Sequence, residues 1–124
     1  MEVIKITGTD DTPNVILDTG KGVFEFSGRS LPEDVISFYG PVLQSIEEYI
    51  QSPKEKTEIN IKLDYFNTAS SKVILDILIY FETIAKQGKE VVVHWYYQEE
   101  DEDMEEAGEE YAEIVDVKFK MHTY

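Results

Sequence analysis

A single α/β domain over residues 1–124, built on a mixed β-sheet with helices packed on it, is predicted by three features of the sequence. Short β-branched and aromatic runs recur along the chain, and stretches with apolar residues at helical spacing separate the later ones. The resulting order, β-β-β-α-β-α-β-α-β, contains strand-helix-strand successions that imply right-handed parallel crossovers. The third feature is composition: 42% apolar and 12% aromatic residues in 124 supply a core, and the absence of cysteine excludes a disulfide framework or thiolate metal site.

The elements follow in order. VIKI (Val3 to Ile6), NVILD (Asn14 to Asp18) and GVFEFSG (Gly22 to Gly28) are β-type runs, the last two joined by Thr19, Gly20 and Lys21 as a hairpin in which glycine supplies a positive φ. Ser30, Leu31, Pro32 and Glu33 resemble a helix start, with a serine cap and a glutamate three residues on. The apolar positions from Val35 to Ile50 repeat at helical spacing; Gly40-Pro41 predicts a kink or two short helices, and Ser52-Pro53 a stop.

Thr57 to Phe66 alternates like a half-buried strand. Thr68 or Ser70 can cap the helix that runs through Val73, Ile74, Ile77, Leu78, Phe81 and Ile84 to Gly88. That helix is apolar on most sides, which predicts the sheet against one face and a helix or partner against the other. Glu90 to Tyr97 reads as a strand covered on both faces, followed by a helix from about Asp103 to Ile114 and a last strand, Val117 to Thr123.

Charge restricts the function. With 26 acidic and 11 basic residues the net charge is −15, which repels phosphate backbones and anionic headgroups, so neither nucleic-acid binding nor membrane insertion is expected. Ten of the acids lie between Glu99 and Glu113, either as a solvated surface or as a docking surface for a basic partner. The N-terminal sequence lacks a secretory pattern and no apolar run is long enough to span a bilayer, so a cytoplasmic location is expected.

Catalytic patterns are missing. His94 and His122 sit in separate strand-like runs without a third ligand at a metal-site spacing, and the acids from Asp101 fail a calcium loop at its glycine and closing glutamate positions. No nucleophile elbow or phosphate loop is present, so the reading is non-enzymatic, with no cofactor or metal. The alternative is a small-molecule or metal-binding module formed by His94, Tyr96 and the acidic segment after Gln98.

The feature that remains is the strand-to-helix junction from Asn67 to Lys72. A hydroxyl at Thr68 stands beside the unpaired N–H groups and positive dipole end of a helix, where it serves as a plain cap or accepts a phosphate that those amides would stabilise.

The blocks TPNVILD, FEFSGRSLPED, DYFNTASSK and HWYYQEEDEDMEEAGEEYAEIVDVKF, in that order over essentially the whole chain, resemble the SiaC family of bacterial regulatory phosphoproteins. The resemblance implies a fold similar to the STAS-like anti-sigma-factor antagonists and a role in partner switching. It implies three protein partners: a serine/threonine kinase, a PP2C-type phosphatase, and an effector bound by the unmodified form. That effector is implied to be a diguanylate cyclase, which connects the chain to cyclic di-GMP signalling and biofilm control. In the family pattern Tyr-Phe-Asn-Thr the phosphoacceptor falls on Thr68, with Ser70 and Ser71 as further hydroxyls of the same loop. The expected partner surface comprises Asp64, Tyr65, Asn67, Thr68, Ser70, Ser71 and Lys72, with the exposed side of the Val73 to Lys86 helix.

Overall fold

The computed structural model describes residues 3–124. Its elements are β1 (Val3–Ile6), β2 (Asn14–Asp18), β3 (Val23–Ser30), α1 (Val35–Tyr49), β4 (Lys56–Phe66), α2 (Thr68–Lys86), β5 (Glu90–Tyr97), α3 (Glu102–Ile114) and β6 (Lys118–Thr123). The strands form one mixed sheet in chain order: β1, β2 and β3 pair antiparallel, while β3 to β6 pair parallel through the three helical crossovers.

That order decides the layering. Crossovers of one hand that always step in the same direction place every helix on the same face of the sheet. The side chains agree: Val15, Leu17, Phe24, Phe26, Ile59, Ile61, Leu63, Val91, Val93 and Trp95 alternate into one core with Tyr39, Val42, Ile46, Ile77, Leu78 and Phe81 of the helices. The intervening positions, including Glu25, Ser27, Asn60, Lys62, His94 and Tyr96, belong to a second face that no helix covers. β5 is therefore not covered on both faces as its composition predicts; His94 and Tyr96 stay half-exposed, and only Val92, between Glu58 and Lys118, is buried there at 2% exposure.

Local starts and stops also differ from expectation. The positive φ of the β2–β3 turn belongs to Gly22, at 71°, not Gly20; a Cβ there would also stand 2.7 Å from the Lys56 carbonyl oxygen. Ser30 does not cap α1. It ends β3, fully buried, and Asp34 caps the helix by accepting the Ser37 N–H at 3.1 Å. Pro41 leaves α1 one continuous helix, since the carbonyl it deprives of a donor is that of Ser37, in an exposed part of the helix where water can serve it.

The acidic helix α3 is held by one aromatic ring. Trp95 Nε1 donates to the Met104 carbonyl at 2.9 Å, and Gly108 lies so close over the indole that a Cβ would stand 2.5 Å from Trp95 Cδ1. Only Met104, Gly108 and Tyr111 of α3 are buried, so most of its acids face solvent. Asp101 caps the helix, and Glu102, Asp103 and Glu105 occupy its first turn, where the helix dipole favours negative charge. Part of the acidic segment thus has a structural use.

Candidate functional site: the β4–α2 junction

Asn67, rather than Thr68 or Ser70, caps α2. All three residue types can cap; what selects Asn67 is the end of β4, because its backbone N–H is held by the Ser30 carbonyl at 3.0 Å in the neighbouring strand. Its extended backbone (φ −86°, ψ 176°) then lets Oδ1 accept the Ser70 N–H at 2.8 Å, and its carbonyl accepts the Ser71 N–H at 2.9 Å.

This register separates the three hydroxyls of the loop. Thr68, the first helical residue, is exposed, and among the described residues nothing bonds its hydroxyl. Ser71 is half-buried and its Oγ donates to the Thr68 carbonyl at 2.6 Å. Ser70 is fully buried: its Oγ accepts from Ser30 Oγ at 2.9 Å, and Ser30 Oγ lies 2.5 Å from the Tyr39 hydroxyl. Burial pushes the Tyr39 phenol above its usual range, so the trio stays neutral. Ser70 therefore leaves the expected partner surface; its side chain faces the core because it occupies the third helical position, on the sheet side of α2.

The buried trio ties α2 to β3 and α1, and removing one member leaves a polar atom unmatched. Ser70→Ala is expected to lower unfolding free energy by about 1–3 kcal/mol, measured by urea denaturation, with Ser70→Thr no remedy in so tight a space.

The other expected residues converge. Asp64 accepts a hydrogen bond from the Tyr124 hydroxyl at 2.7 Å, and the Tyr124 ring covers the Lys62 ammonium at 4.5 Å. Partial burial, then the Asp64 contact, pushes the Tyr124 phenol up to about 12. Tyr65 is 49% exposed, with the Arg29 guanidinium 5.9 Å from its ring centre. Lys72 is exposed one turn beyond Thr68. Beside them a groove of about 450 Å³ runs between Asp64, Tyr65 and Phe66 on one wall and Asp101, Asp103, Met104 and Ala107 on the other. On the far side of the junction, the Tyr111 hydroxyl of α3 donates to the Ser71 carbonyl at 2.7 Å. Burial first, and Glu110 second, push that phenol up to about 12 as well.

The junction lies at the carboxyl ends of the parallel strands, the usual location of sites on open α/β sheets. Ser30, Tyr39, Arg29, Tyr111 and Tyr124 belong to this constellation through long-range register, for which the local sequence carries no signal.

The alternative site does not form as expected. His94 lies on the open face, whereas α3 packs on the opposite, Trp95 face, so His94 and the acids of α3 stand in different layers. Among the described residues no group of three or more His, Asp or Glu side chains is placed to hold a metal. No helix among them is long and apolar enough to cross a membrane.

Known proteins share this architecture. A Pseudomonas aeruginosa SiaC chain, in the crystal structure of the diguanylate cyclase SiaD with its activator SiaC, superposes with a TM-score of 0.92 at 29% identity, covering 98% of this chain and 99% of that one. Apo-SiaC from the same organism gives a TM-score of 0.89 at 29% identity over the same shares. An uncharacterised protein of Pseudomonas aeruginosa strain UCBPP-PA14 is 29% identical over 124 residues, all of this chain and 98% of that protein. Residues 6–124 match the SiaC family throughout, and the chain belongs to that family of regulatory phosphoproteins.

Proposed function

We propose that this chain is a non-enzymatic activator of a diguanylate cyclase, active when Thr68 is unmodified and switched off when Thr68 carries phosphate. In this scheme a serine/threonine kinase adds the phosphate, a PP2C-type phosphatase removes it, and the exchange takes place in the cytoplasm to set cyclic di-GMP output and biofilm formation. The partner surface is Asp64, Tyr65, Asn67, Thr68, Ser71 and Lys72 with the exposed side of α2. The similarity to an activator solved with its cyclase supports the effector class.

The observation that carries the reading is the separation of the three hydroxyls. A kinase needs an oxygen it can reach, and of the three hydroxyls that of Thr68 alone is both exposed and unbonded, whereas Ser70 is sealed in the core and the Ser71 hydroxyl is bonded to its own helix. A phosphate there adds about two negative charges beside the unpaired first-turn N–H groups, so the helix end tolerates it. The same charge on a surface that must be dehydrated to meet the cyclase carries a large desolvation cost. The fold is preserved and the interface is lost.

The test is peptide mass spectrometry on protein from its own cells, with and without the phosphatase. Phosphate on Thr68 is expected to accumulate when the phosphatase is missing and to vanish in Thr68→Ala. Phosphate found only elsewhere, or in neither culture, contradicts the proposal.

A further inference from the structure

The groove beside the switch, between the end of β4 and the first turns of α3, combines two chemistries. Its buried and half-buried members Phe66, Met104 and Ala107 are apolar, while Asp64, Tyr65 and Asp103 stand exposed along its edge and Asp101 adds a third carboxylate. Among the described residues no lysine or arginine lines it; Arg29, whose guanidinium lies 5.9 Å from the Tyr65 ring centre, stands outside. Asp101 accepts the Met104 N–H at 3.0 Å and Asp64 the Tyr124 hydroxyl at 2.7 Å, each through one oxygen. Among the described residues the Asp103 carboxylate has no bonded partner, and none of the three forms an ion pair.

That combination limits what can fill the groove. A purely apolar side chain would cover Phe66 and Met104 but strip water from the carboxylates without replacing its hydrogen bonds. An acidic one would be repelled. A long cationic side chain satisfies both, since its stem lies on the apolar members and its charge reaches the edge. Arginine fits better than lysine, because its planar fork donates to two carboxylates at once and its face packs on aromatic walls.

We propose that the groove seats an arginine of the cyclase partner, its stem on Phe66 and Met104 and its guanidinium between Asp64 and Asp103; this rests on the function proposed above. The groove shares Asp64 and Tyr65 with that partner surface, and Phe66 stands two residues before Thr68. The seated cation is committed to the groove, so a phosphate on Thr68 gains it only by drawing it out, and the docked geometry is lost.

The test is calorimetric titration of the cyclase with the full unmodified chain, Asp103→Asn, Asp103→Lys and Glu109→Lys, at low and at high salt. Glu109 is exposed on the same helix outside the groove, so Glu109→Lys makes the same charge change without touching it. Asp103→Lys sets a cation against the seated cation and should weaken binding about tenfold or more, Asp103→Asn less, and Glu109→Lys hardly at all. Added salt should weaken the parent complex more than the Asp103→Lys complex. Circular dichroism checks that each variant is folded. Equal affinity for the parent and Asp103→Lys, or an equal loss in Glu109→Lys, overturns the proposal while leaving the Thr68 switch intact. If Asp103→Lys binds the cyclase normally but is no longer phosphorylated, the groove receives the kinase instead, which equally overturns it. A parent chain that binds no cyclase overturns both readings.

Discussion

Thr68→Glu is expected to lower the affinity of the chain for the diguanylate cyclase proposed as its partner at least tenfold, about 1.4 kcal/mol, while leaving the fold intact. The two effects have opposite signs for one physical reason. At the first position of α2 a carboxylate meets the positive end of the helix dipole, which stabilises the free protein by about 0.3–1 kcal/mol at an exposed site. In a complex the same carboxylate loses its water without gaining a designed cation, and the loss of affinity follows. Thr68→Ala should keep the fold, because Asn67 and not residue 68 caps the helix, and should weaken cyclase binding far less than Thr68→Glu, since it removes one uncharged contact of the partner surface and adds no charge. Calorimetric titration against the cyclase checks binding, and a thermal melt checks that Thr68→Glu is no less stable. Equal affinity for parent and Thr68→Glu would place the interface elsewhere on the molecule.

The second large effect is on stability. Trp95→Ala is expected to lower unfolding free energy by about 3–5 kcal/mol, a large share of the ~5–15 kcal/mol available to a domain of this kind. The ring is fully buried, lies under Gly108, meets Tyr111 at a tilt of 56° with centroids 5.6 Å apart, and donates to Met104. Its removal leaves a void and an unmatched carbonyl beneath α3. Since Tyr111 of that helix holds the Ser71 carbonyl, loosening α3 should also weaken cyclase binding. Gly108→Ala probes the same contact from above and should cost about 1–3 kcal/mol by overpacking. Urea unfolding of both variants checks the pair; a loss below 1 kcal/mol for Trp95→Ala would mean that the indole is not what holds α3.

Much of this architecture is legible in the sequence because period and burial coincide. NVILD and EVVVHWYY are bounded by turn residues and form strands over the expected limits, and the apolar repeat from Val73 to Ile84 lies within α2. Apart from the kink expected at Gly40-Pro41, which local exposure of the Ser37 carbonyl makes unnecessary, the main errors share one cause: a local pattern with several equivalent readings, decided by a distant partner. Ser30 has the chemistry of a helix cap, but β4 pairs with β3 as far as Ser30–Phe66, and Tyr39 and Ser70 engage its hydroxyl. Asn67, Thr68 and Ser70 are interchangeable as caps until the Ser30 carbonyl selects Asn67. The two-sided burial expected of β5 rests on its nearly continuous β-branched and aromatic run, but His94 and Tyr96, on its open face, are side chains that serve equally on a half-wet surface. Of the partner surface the chain order places Asp64 to Lys72 together, while the inward turn of Ser70 emerges only once helical phase is set by the cap.

The most direct measurement of the central claim is the affinity of the cyclase for two preparations of the same chain, one unmodified and one stoichiometrically phosphorylated on Thr68, followed by treatment of the second with the phosphatase. The account predicts tight binding and cyclase activation by the first, at least tenfold weaker binding by the second, and full recovery once the phosphate is removed. Equal binding by both preparations, or stronger binding by the phosphorylated one, would contradict it.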